Sequence, residues 1–193
     1  MDGVDKGRRI VALLAILALV VVVAILSFSD RTAKPMQLNG DMLGQDNTET
    51  SVEYRQRASE SLENAAVGEE AYSLVTFTQP LSPSEASNLL EGVGRVNAMV
   101  MLSAPAMDLP EPIAGETRED VFNRQIKLVD AQLSGIGNVR APGELNGVVV
   151  WDIPQKVRVL SESSLVYSVE TLPSDAAWGS FGIRPVDTSG TNF

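Results

Sequence analysis

The sequence predicts an α+β fold in which one N-terminal transmembrane helix precedes a domain with an antiparallel sheet and an inserted helix. Three observations support this prediction. Residues 10–28 contain no charged or amide side chain, no glycine and no proline. Residues 71–173 follow the order strand, helix, strand, strand, helix, strand, which is typical of a split βαβ arrangement. An additional helical pattern over 117–134 lies within an insertion at 104–143.

The composition excludes several kinds of site. The 193 residues include no cysteine and no histidine, so thiolate, disulfide and imidazole chemistry is absent from this chain. A formal net charge of −10 disfavours nucleic acid and anionic headgroups as partners. No glycine-rich phosphate loop occurs, and adjacent acids such as Glu69-Glu70 are typical of a solvated surface. We therefore expect no catalytic residue, no cofactor, no metal, no nucleic acid and no small-molecule substrate.

Residues 10–28 predict the transmembrane helix because nineteen helical residues span about 28 Å, close to the ~30 Å hydrocarbon core of a bilayer. The flanking basic residues are Lys6, Arg8 and Arg9 before this segment against Arg31 and Lys34 after it. This bias predicts a cytoplasmic N-terminus (1–9), a single pass through the cell membrane and an extracytoplasmic C-terminal domain. The alternative is a cleavable signal peptide with Ser27-Phe28-Ser29 as its cleavage site, but the apolar run is longer than such a peptide needs.

Residues 29–70 predict a polar tether with a short helix. Thr50 and Glu53 form a capping box at the start of that helix. The tether also contains apolar residues that are unusual in a free linker: Met36, Leu38, Met42 and Leu43. We expect these four residues to contact either the domain or a partner protein.

The compact domain is predicted over 71–173. Residues 72–78, 95–103, 145–153 and 164–172 are rich in β-branched and aromatic residues or in alternating apolar residues, which predicts four strands. Ser82-Pro83-Ser84-Glu85 predicts the start of the first helix, and Pro154 begins the last one. In the insertion, helical apolar spacing over 117–134 ends at Gly135.

Two surfaces are candidates for contact with a partner. Alternation in the second strand predicts that Val96, Ala98, Val100 and Leu102 meet the two helices. Met99 and Met101 then lie on the opposite face with Val148 and Val150, and either the inserted helix or another protein must cover them. In the tail, 174–193, Trp178 and Phe181 lie among glycines and a proline. They are either exposed aromatic anchors or part of a tail folded back on its own domain.

The second half of the domain resembles the subtilisin-propeptide and peptidase-inhibitor family. Leu145-Asn146-Gly147-Val148-Val149-Val150 is similar to the third strand of that family. The helix after Pro154, the segment Val166-Tyr167-Ser168-Val169-Glu170 and Pro173 are similar to its last helix and strand. The resemblance implies a ferredoxin-like fold, and it implies a membrane-tethered inhibitor or chaperone as an alternative function.

The whole layout also resembles the small accessory subunits of the actinobacterial respiratory supercomplex, which joins cytochrome bcc to a cytochrome oxidase. The resemblance lies in the apolar segment 10–28, the mass of 20.7 kDa and an outer domain without cofactor motifs. It implies a non-catalytic, single-pass subunit that stabilises or assembles this complex, with the bilayer and the bcc and oxidase subunits as its partners. A domain that senses a ligand is a weaker alternative, since only about nine residues precede the apolar segment to carry a signal.

Overall fold

A computed structural model of the chain describes residues 12–19, 40–102, 104–133 and 142–188. The chain divides into two compact units, residues 1–37 and residues 38–193. In the first unit, helix α1 covers residues 12–19, and all eight of its residues are exposed.

The fold class predicted from the sequence needs a correction. Within the described ranges, no helix is long and apolar enough to cross a membrane. The prediction of a transmembrane helix as part of the fold is therefore wrong for the described chain. Residues 10, 11 and 20–28 of the predicted helix lie outside the described residues.

The second unit is a mixed α+β structure. Its strands and helices, in chain order, are β1 (Met42–Leu43), α2 (Ser51–Glu63), β2 (Ala71–Leu81), α3 (Pro83–Leu89), β3 (Arg95–Met101), β4 (Ala104–Asp108), α4 (Arg118–Leu133), β5 (Leu145–Asp152), α5 (Pro154–Ser161), β6 (Val166–Thr171) and β7 (Gly182–Ile183). The main sheet has five antiparallel strands in the order β4-β3-β5-β2-β6. Strands β1 and β7 form a separate two-stranded parallel sheet.

The sequence predicts the insertion at 104–143 as an excursion from a four-stranded sheet, and the structure differs from this prediction. Its first residues form β4, which pairs with β3 and extends the sheet by a fifth strand at one edge. The other four strands lie in the order β6-β2-β5-β3, with α3 and α5 as the connecting helices, as in a split βαβ arrangement. The proline-rich sequence of the insertion does not predict the strand β4. Pro105 cannot donate a backbone hydrogen bond, so it is tolerated in a strand only at the edge of a sheet.

Two helices begin where local sequence signals place them. Thr50 Oγ1 accepts a hydrogen bond from the Glu53 backbone N–H (3.3 Å), and Glu53 accepts one from the Thr50 N–H (2.8 Å). This confirms the predicted capping box of α2. The same reciprocal pair joins Ser82 and Glu85 at α3, where Pro83 occupies the first turn. The boxes satisfy N–H groups that a helix start otherwise leaves unpaired.

The prediction of which β3 side chains face the helices is right for Val96 and wrong for Ala98 and Val100. The register shifts between Val96, which pairs with Val150, and Ala98, which pairs with Val149, so two steps along β3 match one step along β5. This bulge at Asn97 inverts the alternation of side chains beyond it. Met99 and Met101 consequently share a core with Leu90, which follows α3, and with residues of the three helices α3, α4 and α5: Ala86, Val121, Phe122, Val157 and Leu160.

The opposite face of the sheet carries a second core. Leu74, Ala98, Val100 and Val149 contribute from the strands. They are covered by Leu172 and by residues on both sides of the predicted 71–173 domain: Leu43, Tyr54, Ala58, Ala176, Phe181 and Val186. The segment predicted as a tether and the tail therefore pack, over their described residues, as parts of the same compact unit as the sheet. This unit begins at Leu38 rather than at residue 71.

Candidate functional site

Both tryptophans of the chain lie in one aromatic cluster, which is formed by Tyr72, Trp151, Trp178 and Phe181. The ring centroid of Tyr72 lies 4.3 Å from that of Trp151, 5.3 Å from that of Trp178 and 5.2 Å from that of Phe181. Trp178 and Phe181 make an edge contact at 5.6 Å. These distances are those of favourable tilted and edge-to-face aromatic pairs.

Strand register and the tail together assemble the cluster. Tyr72 on β2 stands directly opposite Trp151 on β5, so their side chains share one face of the sheet. The Leu172 N–H donates to the Tyr72 carbonyl (2.9 Å), which starts the tail beside Tyr72. Two turns follow, closed by Ala176 N–H to Pro173 O (3.1 Å) and Ser180 N–H to Ala177 O (3.0 Å). These turns place Trp178 and Phe181 over the Tyr72 ring.

The cluster is buried at its base and open at its outer side. Phe181 is 7 % exposed, whereas Tyr72, Trp151 and Trp178 are all half-buried. A half-buried tryptophan pair presents rigid apolar area together with a polar N–H, which is the composition of protein-binding surfaces. We call the exposed part of these three rings the aromatic surface.

Acidic side chains border the aromatic surface. The Trp151 indole N–H donates to Glu70 Oε2 at 3.1 Å. The Ser174 hydroxyl bonds to Glu69, which ties the loop before Trp178 to the segment before β2. Asp175, in the same loop, is exposed. The rim of the aromatic surface therefore carries the Glu70 carboxylate, and Glu69 and Asp175 lie on the two segments that adjoin it.

A second polar cluster, centred on Arg57, fixes α2 and β1 to the sheet. The Arg57 guanidinium bonds to the 3 % exposed Glu170 of β6, to Glu49 (2.8 and 3.0 Å) and to the carbonyl of Gly44 (3.0 Å). Glu170 also accepts from the Gly44 N–H at 2.6 Å. Burial raises the pKa of Glu170, although Gly44 and Arg57 oppose that rise. Burial likewise raises the pKa of Tyr54, so its hydroxyl stays protonated.

An open groove of about 590 Å³ lies beside this cluster, between the loop that precedes α2 and the last described residues of the tail. Asp46, Glu49, Arg184 and Asp187 line it. Its charged groups already bond to one another or to the backbone: Arg184 to Asp46 at 3.2 Å, Asp46 to the Thr48 N–H at 3.3 Å, and Glu49 to Arg57. The described residues contain no group of acidic side chains arranged to hold a metal ion.

The residues predicted from the sequence to contact a partner fall into three groups. Met36 and Leu38 lie outside the described residues. Leu43, Met99 and Met101 are fully buried in the two cores, and Phe181 is nearly so. Met42 and Trp178 keep part of their surface accessible. Of the two alternatives for Trp178 and Phe181, the structure shows a tail folded back on its own domain, with the two rings in edge contact.

Sequence reasoning missed Tyr72 and Trp151 as members of this site. Both were interpreted only as strand residues, and their meeting depends on the register of β2 against β5. The one available signal is that each lies near the end of an apolar strand, where a large aromatic ring is only partly covered.

Comparison of the chain with protein-family models, with curated proteins and with solved structures gives no match. The function is accordingly inferred from the geometry and chemistry of the described residues.

Proposed function

We propose that this chain is a non-catalytic accessory subunit that docks on a larger membrane complex and stabilises or assembles it. In this proposal the apolar sequence 10–28 holds the chain at the cell membrane, and the aromatic surface binds the partner. The orientation is the one that the flanking basic residues favour, with the second unit on the extracytoplasmic side.

The observation that supports docking is the half-buried cluster of both tryptophans and Tyr72. Tryptophan and tyrosine dominate the binding energy of protein interfaces because a rigid ring buries much apolar area at a low cost in side-chain entropy. The rings rest on the nearly buried Phe181 and on each other, so they are held in place before a partner arrives. Such preorganisation favours binding.

The respiratory bcc–oxidase supercomplex is the first complex to test. Its support is the resemblance in the apolar segment 10–28 and in the mass of 20.7 kDa. A partner of this kind carries haem, so the visible absorption spectrum of a purified preparation identifies it independently of mass spectrometry.

The test is affinity purification of the tagged full chain from native membranes in a mild detergent. The unaltered chain is expected to retain a haem-containing complex, and Trp178→Ala is expected to release at least nine-tenths of it. Ile113→Ala is the matched control, because Ile113 is a 69 % exposed apolar residue that takes no part in the ring contacts of the aromatic cluster. Near-ultraviolet circular dichroism checks that the tail of the Trp178→Ala chain stays folded.

Three results would contradict the proposal. The chain could purify alone, the complex could survive Trp178→Ala, or both variants could release it equally. A colourless preparation that contains a peptidase would instead favour the membrane-tethered inhibitor.

A further inference from the structure

We propose that the segment of the partner that binds the aromatic surface is basic, with an arginine or lysine placed on the tryptophan rings. This inference rests on the proposed docking function and adds the chemistry of the ligand.

Elsewhere in this chain, exposed arginines stack on aromatic rings. The Arg55 guanidinium carbon lies 5.3 Å from the centroid of the Tyr167 ring, and that of Arg57 lies 5.3 Å from the centroid of the Tyr54 ring. Among the described residues, no arginine or lysine lies over Tyr72, Trp151 or Trp178 in this way. Because tryptophan binds a cation more strongly than tyrosine does, the strongest cation-binding faces of the chain are the ones without a cation.

The rim supplies the second half of a cation site. Glu70 Oε2 lies 3.1 Å from the Trp151 indole nitrogen, so a guanidinium stacked on that ring would have a carboxylate within hydrogen-bond reach. Glu69 and Asp175 stand on the two segments that flank the surface. An aromatic face combined with a carboxylate at its edge favours arginine in particular, because a planar guanidinium can stack and donate at the same time.

Arg95, the basic residue that strand register places beside Trp151, is already paired. Arg95 stands opposite Trp151 across β3 and β5, but its Nε lies 3.7 Å from a Glu111 carboxylate oxygen. The chain as a whole carries 25 acidic against 15 basic residues. The charge of a basic segment is therefore complementary to the carboxylates beside the aromatic surface and, over longer distances, to the net negative charge of the chain.

Tryptophan fluorescence is a direct test, since Trp151 and Trp178 are the two tryptophans of the chain and both belong to the surface. The full chain in an uncharged detergent is titrated with the peptide acetyl-Gly-Arg-Arg-Gly-amide. The matched peptide carries citrulline at both arginine positions, which keeps the size and the planar shape of the side chain but removes its charge. We expect a saturable change in emission with the arginine peptide and at least a fivefold weaker response with the citrulline peptide.

Variants that replace carboxylates by amides distinguish attraction by the rim carboxylates from general attraction to an acidic protein. In Glu69→Gln/Glu70→Gln the amide oxygens can still accept the bonds from Ser174 and Trp151, so only the charge is lost. We expect the arginine peptide to bind about four- to ninefold more weakly, from roughly two- to threefold per exposed ion pair. Glu63→Gln/Glu162→Gln is the control, because both residues are exposed and the double variant changes the net charge by the same amount.

The proposal is overturned if the arginine peptide leaves the emission unchanged up to 10 mM. It is also overturned if the citrulline peptide acts equally well, or if the two double variants weaken binding to the same extent. These failures are distinct from failure of the docking function. Loss of the membrane complex in Trp178→Ala together with a charge-insensitive titration would keep the docking surface and reject a basic partner segment.

Discussion

Because Arg57 contacts Glu170, substitutions at these two residues should have strongly coupled effects on the free energy of unfolding. Replacing Arg57 by methionine keeps the aliphatic stem but leaves Glu170, which is 3 % exposed, without its guanidinium partner. Breaking a buried ion pair from one side costs about 3–5 kcal/mol. We expect a value near the lower limit, about 3 kcal/mol, because the Gly44 N–H still donates to Glu170 and because the Arg57 side chain is itself 44 % exposed.

The same substitution should cost much less when Glu170 is already glutamine. In that background Arg57→Met removes only the contacts to Glu49 and Gly44, near the surface, and we expect a loss of about 1 kcal/mol. Glu170→Gln alone should be close to neutral at pH 7, because the uncharged amide avoids the desolvation of a buried carboxylate. The cycle therefore predicts a coupling of about 2 kcal/mol between the two residues.

The pH dependence of the cost of Arg57→Met is an independent test, because the direction of the change with pH can be predicted. Burial raises the pKa of Glu170 above its ordinary value of 4.5, and loss of Arg57 removes a contribution that opposes this rise. A carboxyl group with a raised pKa in the folded state contributes stability below the unfolded pKa, and that contribution is lost as the pH rises through the folded value. The cost of Arg57→Met should therefore shrink as the pH is lowered from 7 toward 4.5.

The measurement is urea unfolding of the full chain and its three variants in an uncharged detergent, followed by tryptophan emission at several pH values. The reasoning is refuted if Arg57→Met costs the same in both backgrounds to within about 0.5 kcal/mol, the limit of additivity for independent sites. A cost that grows on acidification would refute the assignment of the raised pKa.

Two more predictions concern the cores. Met101→Ala should lower the free energy of unfolding by about 3 kcal/mol, because Met101 is fully buried beneath the helices. The control Leu102→Ala, at a neighbouring residue that is 49 % exposed, should change it by less than about 0.5 kcal/mol. Equal urea midpoints for the two variants would contradict the assignment of Met101 to the helix-covered face. Gly147→Ala should destabilise by about 2 kcal/mol or more, because a Cβ at this position would lie 2.6 Å from the Val75 carbonyl oxygen of the neighbouring strand; a melting temperature that is unchanged or raised would contradict it.

Elements with strong local signals were predictable from the sequence. The strand predicted at 145–153 is observed as Leu145–Asp152, and the helix predicted at 117–134 as Arg118–Leu133. The side chains that start α2 and α3 bond to backbone groups three residues away, so a short stretch of sequence contains the whole interaction.

Features that depend on pairing were not predictable in this way. The bulge at Asn97 inverts which β3 side chains meet the helices, and neither a glycine nor a proline marks it in the sequence. The two-residue strands β1 and β7 are too short for a periodic pattern, and each exists because the other is present. The contribution of Tyr72 and Trp151 to the candidate site has the same origin, since strand register brings these two residues together.

The pairing of β1 with β7 also bears on the timing of folding during synthesis. Gln45, beside β1, accepts a hydrogen bond from the Asp187 N–H, which lies 142 residues later in the chain. At about 5–20 residues per second, a ribosome needs on the order of ten seconds to produce that partner. Throughout this interval Leu43 lacks the contact that its carbonyl makes with the Arg184 N–H. A nascent chain can thus complete its compact unit only after residue 187 has been made, and termination before that residue would leave the start of this unit unpaired.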